Sequence, residues 1–320
     1  MGLKYARLSH RWRKYPFSSE HGIEGRYSLT EKGFSANYEG DFTSLIRKWN
    51  LSLLANYDQV RWYNYFGLGN ESIRPAKDRT PFRLRTKEIM ASAGLNRRFG
   101  KYHRIGLAGF YQVVQVKNDS IFTKSLLPAE EDLYNKHHFA GAQFIYSLQA
   151  INDSLLPTKG FGFTAVATYT DNLKNDNNFM RYSGLVQLYF PFTKTIGLAI
   201  RTGASTLSGT PEFYQYNSIG GGSSLRGFNR TRFFGKTAVF DQNEIRWVKN
   251  ARSYLYNGKF GLLAFYDIGR VWMPGEKSTT WHSGYGGGLI LAPYNRISVS
   301  AGYGVSKEGG VLFFRLLRVI

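Results

Sequence analysis

Arg226 follows the glycine-rich run Ser218-Ile219-Gly220-Gly221-Gly222-Ser223-Ser224-Leu225 and is itself followed by Gly227-Phe228. An arginine presents five N–H donors in a planar fork that matches a carboxylate two bonds at a time. Glycine-rich backbone can carry such a side chain close to other structure. A carboxylate downstream is placed on a strand to receive it: Asp267 in Phe265-Tyr266-Asp267-Ile268-Gly269. The chemistry on offer is a charge-assisted ion pair rather than bond making. Successive side chains on a strand alternate faces, so Gln242, Glu244 and Arg246 share one face and Ile245 and Trp247 the other. By the same rule Asp267 shares its face with Phe265 and Gly269, while Tyr266 and Ile268 point away.

Strands must position these groups, because period-two alternation recurs along nearly the whole chain. In Gly160–Tyr169 the positions Phe161, Phe163, Ala165, Ala167 and Tyr169 alternate with Gly160, Gly162, Thr164, Val166 and Thr168. Trp49, Leu51, Leu53, Ala55 and Tyr57 repeat the pattern, as do Ile297, Val299, Ala301 and Tyr303. Many segments reach about ten residues, the length that crosses a bilayer at a tilt. The pattern predicts fourteen strands, from 22–30 to 310–319, with one spanning 232–248. Short turns fall at Arg98-Phe99-Gly100, Pro157-Thr158-Lys159, Pro191-Phe192-Thr193-Lys194 and Pro293-Tyr294-Asn295, and longer polar loops at 61–81, 118–135, 172–177 and 207–231. Short turns on one side and long loops on the other are the mark of an outer-membrane barrel. The expected fold is all-β: an antiparallel transmembrane barrel of 14–16 strands with a long internal loop at about 207–231. An even count places both chain ends on the short-turn, periplasmic side. If the apolar faces meet lipid, Glu244 and Asp267 face the lumen.

Composition narrows the alternatives. The 320 residues suit one large barrel, read as residues 21–320 after a basic segment, linker or extra hairpin at 1–20. Cysteine is absent, which removes disulfides and thiolate metal sites. No run of 18 apolar residues exists, so no transmembrane helix is expected. The N-terminus lacks the apolar region and cleavage site of a signal peptide. An outer-membrane protein needs one, so the chain reads as a segment of something longer. The net charge of +20 invites a nucleic-acid reading, but the basic residues are spread along the chain without a recognition motif. With 16% aromatic residues and 35 glycines, the charge better suits lipid phosphates or a polar lumen, and no nucleic-acid partner is expected.

These features resemble the C-terminal barrel of the BamA/TamA superfamily, also called the bacterial surface antigen family. Leu225-Arg226-Gly227-Phe228 resembles the family's (V/I)-R-G-(F/Y) motif at the tip of the sixth outer loop, and Phe265-x-Asp267-x-Gly269 its F-x-D-x-G strand motif. Glu244-Ile245-Arg246 is similar to its acid-hydrophobic-arginine element, and Asp153-Ser154-Leu155-Leu156-Pro157-Thr158-Lys159-Gly160 to its periplasmic turn. The resemblance covers residues 20–320. It implies a barrel that inserts or translocates other polypeptides, with Arg226 held by Asp267 and Glu244 and a weak seam between first and last strands. Two alternatives remain open: an anchor or exporter for a fused or periplasmic domain, or a passive pore. Some relatives carry a metallophosphoesterase or patatin-like domain, and Asn64-Tyr65-Phe66-Gly67-Leu68-Gly69-Asn70-Glu71 is similar to the phosphoesterase-fused branch. Two departures stand out. The family usually has sixteen strands, so one hairpin is expected in 1–20, near Trp62–Glu71, or outside this chain. The chain also ends Leu317-Arg318-Val319-Ile320 without the usual terminal aromatic, although Phe313 and Phe314 lie close.

Other motifs carry little chemistry. Gly220-Gly221-Gly222-Ser223-Ser224 lacks the Gly-Lys-Ser/Thr of a phosphate-binding loop, and no G-x-S-x-G elbow occurs. His137 and His138 are adjacent on a strand, so they face opposite ways and do not share a metal. Glu130-Glu131-Asp132 reads as a solvated loop tip. No cofactor, resident metal or enzymatic activity is expected.

Overall fold

The structure, a computed structural model, describes residues 1–12, 17–29, 32–75, 80–119, 121–128, 132–254 and 256–318. Arg13, Lys14, Glu130, Glu131, Val319 and Ile320 lie outside the described residues. Among the described residues fifteen strands form one antiparallel sheet: β1 (Gly2–Ser9), β2 (Ser19–Ser28), β3 (Gly33–Ile46), β4 (Trp49–Asn64), β5 (Arg83–Phe99), β6 (His103–Val116), β7 (Lys136–Ile151), β8 (Gly160–Asn172), β9 (Asn178–Pro191), β10 (Ile196–Gly209), β13 (Thr237–Arg252), β14 (Asn257–Trp272), β15 (His282–Pro293), β16 (Ile297–Ser306) and β17 (Gly309–Arg318). Two short strands, β11 (Asn217–Ile219) and β12 (Phe233–Gly235), pair with each other inside the long loop between β10 and β13.

Each wall strand pairs with its neighbours in sequence, and the order runs from β1 to β17. Alternation explains the faces. On β14, Leu263, Phe265 and Asp267 are buried, while Leu262, Tyr266 and Phe260 are exposed. On β16, Ser298 and Ser300 point inward, and Ile297, Val299 and Tyr303 point out. The exterior is therefore apolar and the interior small or polar, the inverse of a soluble protein and the pattern of a lipid-facing barrel.

The expected 14–16 strands become fifteen. The added strand is β1, whose residues 2–9 pair with Ser19–Arg26 of β2. An odd number puts the chain ends on opposite rims. The Met1 amine donates to the carbonyl of Tyr27, next to the β2–β3 turn on the long-loop rim, and this corrects the expectation of both ends on the short-turn side. No hairpin forms at Trp62–Glu71: β4 runs to Asn64 and a loop follows. The expected strand at 232–248 also divides. Phe233–Gly235 leaves the wall to pair with Asn217–Ile219, and the wall ladder with β10 resumes at Thr237. Phe233 and Phe234 are both buried because loop packing covers both faces of this short strand.

Distant loops meet at the long-loop rim. The β4–β5 loop crosses to the β14–β15 loop: Glu276 accepts the Asn70 N–H at 2.7 and 2.9 Å and the Glu71 N–H at 2.9 Å. The Asn70 amide donates to Ser278 Oγ and the Thr280 carbonyl, and its oxygen accepts from the Val271 N–H at 3.2 Å. Arg232, in the long loop, pairs with Glu308 at the β16–β17 turn and donates to the Ser72 carbonyl at 2.6 Å. Beneath this cap a cluster of Tyr65, Leu84, Val116, Phe122, Leu133, Phe213 and Phe234 joins the long loop to β4–β7. Asn70 is fully buried and bonds through backbone and side chain alike. Asn70→Ala should therefore cost about 1–3 kcal/mol through the partners it strands. The check is a lower temperature for the heat-induced mobility shift on a gel; an unchanged temperature would remove Asn70 from the cap.

Candidate functional site

The long loop turns back into the barrel, and its tip rests against β14–β16. Arg226 is 1% exposed and Asp267 0%. The Arg226 Nε donates to Asp267 Oδ2 at 2.8 Å and Nη2 to Oδ1 at 2.6 Å, a bidentate fork. The backbone N–H of the same residue adds a third bond to Oδ2 at 2.9 Å. Nη1 donates to Glu244 Oε2, and Arg246 Nε reaches Glu244 Oε1 at 2.5 Å. Gln242 Nε2 completes the set on Asp267 at 3.2 Å. The guanidinium carbon lies 3.8 Å above the Phe265 ring, with the Phe313 ring at 5.6 Å. Arg226, Asp267, Glu244 and Phe265 thus meet at one point.

The neighbours in the motif have separate tasks. Leu225 and Phe228 are fully buried with Ile219, Phe233, Ala238 and Val271. Phe228 packs edge-on against Phe233 and His282. Gly227 adopts φ +90°, where a side chain is disfavoured, and a Cβ there would lie 2.7 Å from the Val305 carbonyl oxygen. Gly269 stands beside Ile219 of β11, where a Cβ would come within 3.2 Å of that side chain.

Sequence reasoning credited the loop glycines with the close approach; the wall contributes as much. Inward positions of β15 are His282, Gly284, Gly286, Gly288 and Ile290, and those of β16 include Gly302 and Gly304. A Cβ at Gly304 would lie 2.6 Å from the Gly227 nitrogen, and one at Gly284 would overlap the Arg226 carbonyl oxygen. Bare backbone on the wall is what lets the loop lie flat. The alternating glycines of Gly284-Tyr285-Gly286 and Gly302-Tyr303-Gly304 carry that signal in the sequence.

A second missed contribution comes from the opposite rim. The turn between β7 and β8 folds inward, and Leu155 and Leu156 pack with Leu263, Phe265, Ile290, Ala292 and Phe313. Asp153 Oδ1 accepts the Leu155 N–H at 2.8 Å and the Leu156 N–H at 3.3 Å, and Oδ2 pairs with Lys259 at 3.0 Å. Partial burial opposes ionisation of Asp153, yet those two N–H groups and the Lys259 ammonium hold its carboxyl below the usual range. The loop tip is thus stacked from above and below: Arg226 on Phe265, and Phe265 on Leu155 and Leu156. His137 points inward, its Nδ1 3.6 Å from Glu212, while His138 faces out and bonds the Tyr111 hydroxyl at 2.6 Å.

Two outcomes follow from this geometry. Arg226→Ala removes one member of a buried ion group and should cost about 3–5 kcal/mol. It should lower the unfolding temperature seen by gel mobility while Arg201→Ala, at a less buried position, lowers it less; equal effects would deny Arg226 its special place. Asp153 has a depressed folded pKa, so its contribution is complete above the unfolded value of about 4 and is lost as pH falls through the folded one. Asp153→Asn should lower stability at pH 7 and flatten the acid limb of stability below about pH 4; an unchanged acid limb would contradict that role.

A family model for the Omp85 superfamily domain matches residues 18–315. Among solved structures, BamA from Haemophilus ducreyi lacking POTRA domains 1-3 superposes with a TM-score of 0.68 at 16% identity, over 98% of this chain and 68% of that chain. CdiB from Acinetobacter baumannii gives 0.59 at 14% identity, over 98% of this chain and 59% of that one. CdiB from Escherichia coli gives 0.54 at 13% identity, over 98% and 62%. At these identities the likeness concerns the fold, and the chain spans about three fifths of either CdiB. No curated protein matches significantly. With the family model covering nearly its whole length and its strands forming an antiparallel sheet of the same fold, the chain belongs to the Omp85 superfamily of outer-membrane β-barrels.

Proposed function

We propose that this barrel resides in the bacterial outer membrane and inserts or translocates other polypeptides, with Arg226 locked on Asp267 and Glu244 to keep the internal loop in place. The observation that carries the reading is the contrast between a pinned interior and a sheet whose two edges, β1 and β17, share no ladder among the described residues. The loop tip is fixed to β13 and β14 by a buried ion group. The sheet's two edges, β1 and β17, have eight and ten residues, whereas the strands from β3 to β10 have 13–17. A short edge has few ladder bonds to lose, and its free N–H and C=O groups can template an incoming strand. Pinning the loop elsewhere lets the seam move without the lumen collapsing.

The partners in this reading are unfolded outer-membrane polypeptides, a fused or periplasmic domain, and lipid bearing phosphate headgroups. Lipid contact is supported by the basic residues at the short-turn rim, among them Arg47, Lys48, Arg98, Lys101, Lys194 and Lys249; among the described residues of the short turns at 47–48, 97–102, 152–159, 192–195, 253–256 and 294–296 the one acid is Asp153. Such a belt beneath exposed aromatics such as Phe99, Tyr102 and Phe192 is where headgroups would lie. No step in this role needs bond chemistry from the chain.

The test is reconstitution of the chain in liposomes with a small unfolded outer-membrane barrel as client. Wild type should speed client folding about tenfold or more, equivalent to ~1.4 kcal/mol of barrier, and Arg226→Ala should lose most of that gain. Planar-bilayer current should be small for wild type and larger for Arg226→Ala. Folding rates equal to empty liposomes, with a steady large conductance in both proteins, would replace this reading with a passive pore.

A further inference from the structure

Below the loop tip lies a cavity of about 730 Å³, bounded by the β7–β8 turn, β9, β10, β13 and the inward face of β16 and β17. Its charge is unbalanced. Arg201 on β10, Arg226 and Arg230 in the loop, Arg246 on β13 and Arg315 on β17 line it, against Glu244 as the lining carboxylate. Both oxygens of Glu244 are already engaged, by Arg226 and Arg246, and both oxygens of Asp267 behind it serve Arg226. Arg201, Arg315 and the exposed loop residue Arg230 are left over, with no carboxylate within 4.0 Å among the described residues, and of these Arg201 and Arg315 stand on the wall.

Those two cations come from walls five strands apart in the sheet order, yet they converge. Arg201 Nη1 donates to the Ser223 carbonyl and to Gln242 Oε1, the latter at 2.9 Å. Arg315 Nη2 lies 3.4 Å from the Gly222 carbonyl. Two guanidinium groups therefore gather at one dipeptide of the loop, satisfied in part by neutral carbonyls and facing an open cavity. Like charges brought together at one turn are stabilised by an anion between them. A monocarboxylate fills one fork. A tetrahedral, doubly charged group can engage forks from both walls at once.

We propose that this cavity is an oxyanion site that binds a phosphate group between Arg201 and Arg315, against the Gly222–Ser223 turn. The phosphate can be free or carried by a lipid headgroup, and apolar Leu155, Leu156 and Leu316 at the cavity wall are compatible with an attached acyl chain. Occupancy would brace the loop three to four residues before Arg226, so the site joins phosphate binding to the loop position.

The experiment titrates the detergent-solubilised chain with inorganic phosphate at constant ionic strength and follows binding by calorimetry. Wild type should bind one equivalent saturably. Arg201→Gln combined with Arg315→Gln should weaken binding about a hundredfold, tenfold for each guanidinium removed from the phosphate. Glycerol phosphate and a lyso-phosphatidylglycerol below its micellar concentration separate the sources: equal affinity assigns free phosphate, and much tighter lipid binding assigns a headgroup. Should the double variant fail its heat-dependent mobility shift, arginine-directed labelling of wild type with mass-spectrometric readout stands in, and phosphate should protect Arg201 and Arg315. Unsaturable binding to wild type, equal binding to a folded double variant, or labelling that phosphate leaves unchanged would overturn the site.

Discussion

A guanidinium removed from water must be met on every side, and that constraint organises this barrel. Taking Arg226 into a dry interior costs several kcal/mol, which only close, well-oriented partners offset. Asp267 supplies a bidentate fork and a backbone bond, Glu244 a second carboxylate, and Phe265 a ring face. Such a set tolerates little displacement. The loop, the strands that carry the two acids, and the glycine-lined wall beneath are therefore fixed relative to one another.

From that point the rest of the interior follows in layers. Towards the long-loop rim, Leu225 and Phe228 anchor the loop among Ile219, Phe233 and Val271. The cap of Asn70, Glu276, Arg232 and Glu308 then ties the first half of the sheet to the last strands. Towards the short-turn rim, Leu155 and Leu156 support Phe265 and Phe313 from below. Rigidity is concentrated on β13–β17 and the loop, and β1, exposed along nearly its whole length and paired only with β2 among the described residues, is the least anchored part of the wall.

Much of this was legible in the chain. Alternation along Gly160–Tyr169 and Ile297–Tyr303 reads directly as lipid-facing and lumen-facing sides, because a barrel wall has only those two faces. Arg226, Glu244 and Asp267 stand out because a lone cation in a glycine-rich run, followed by acids at inward strand positions, has few other uses. What escaped reading depended on residues distant in sequence. The role of Gly284 and Gly304 appears only when the loop backbone is laid across them. The inward fold of Leu155–Leu156 and the Asn70 cap join residues more than a hundred positions from their partners. β1 was hard to see because its apolar Leu3 and Tyr5 are followed by Arg7, which breaks the alternation after two repeats. The apolar pair Phe233–Phe234 resembles the start of a wall strand, and only the ladder resuming at Thr237 separates it.

The measurement closest to the centre of this picture is the distance from the loop to the wall. The chain has no cysteine, so spin labels placed at exposed Ser223 and Asn295 report on that pair alone. If the buried ion group pins the loop, wild type should give one narrow distance distribution in lipid, and Asp267→Ala should broaden it or move it. A distribution that stays narrow and unmoved in Asp267→Ala would mean that packing of Leu225 and Phe228 holds the loop, and that the ion group is not what the structure depends on.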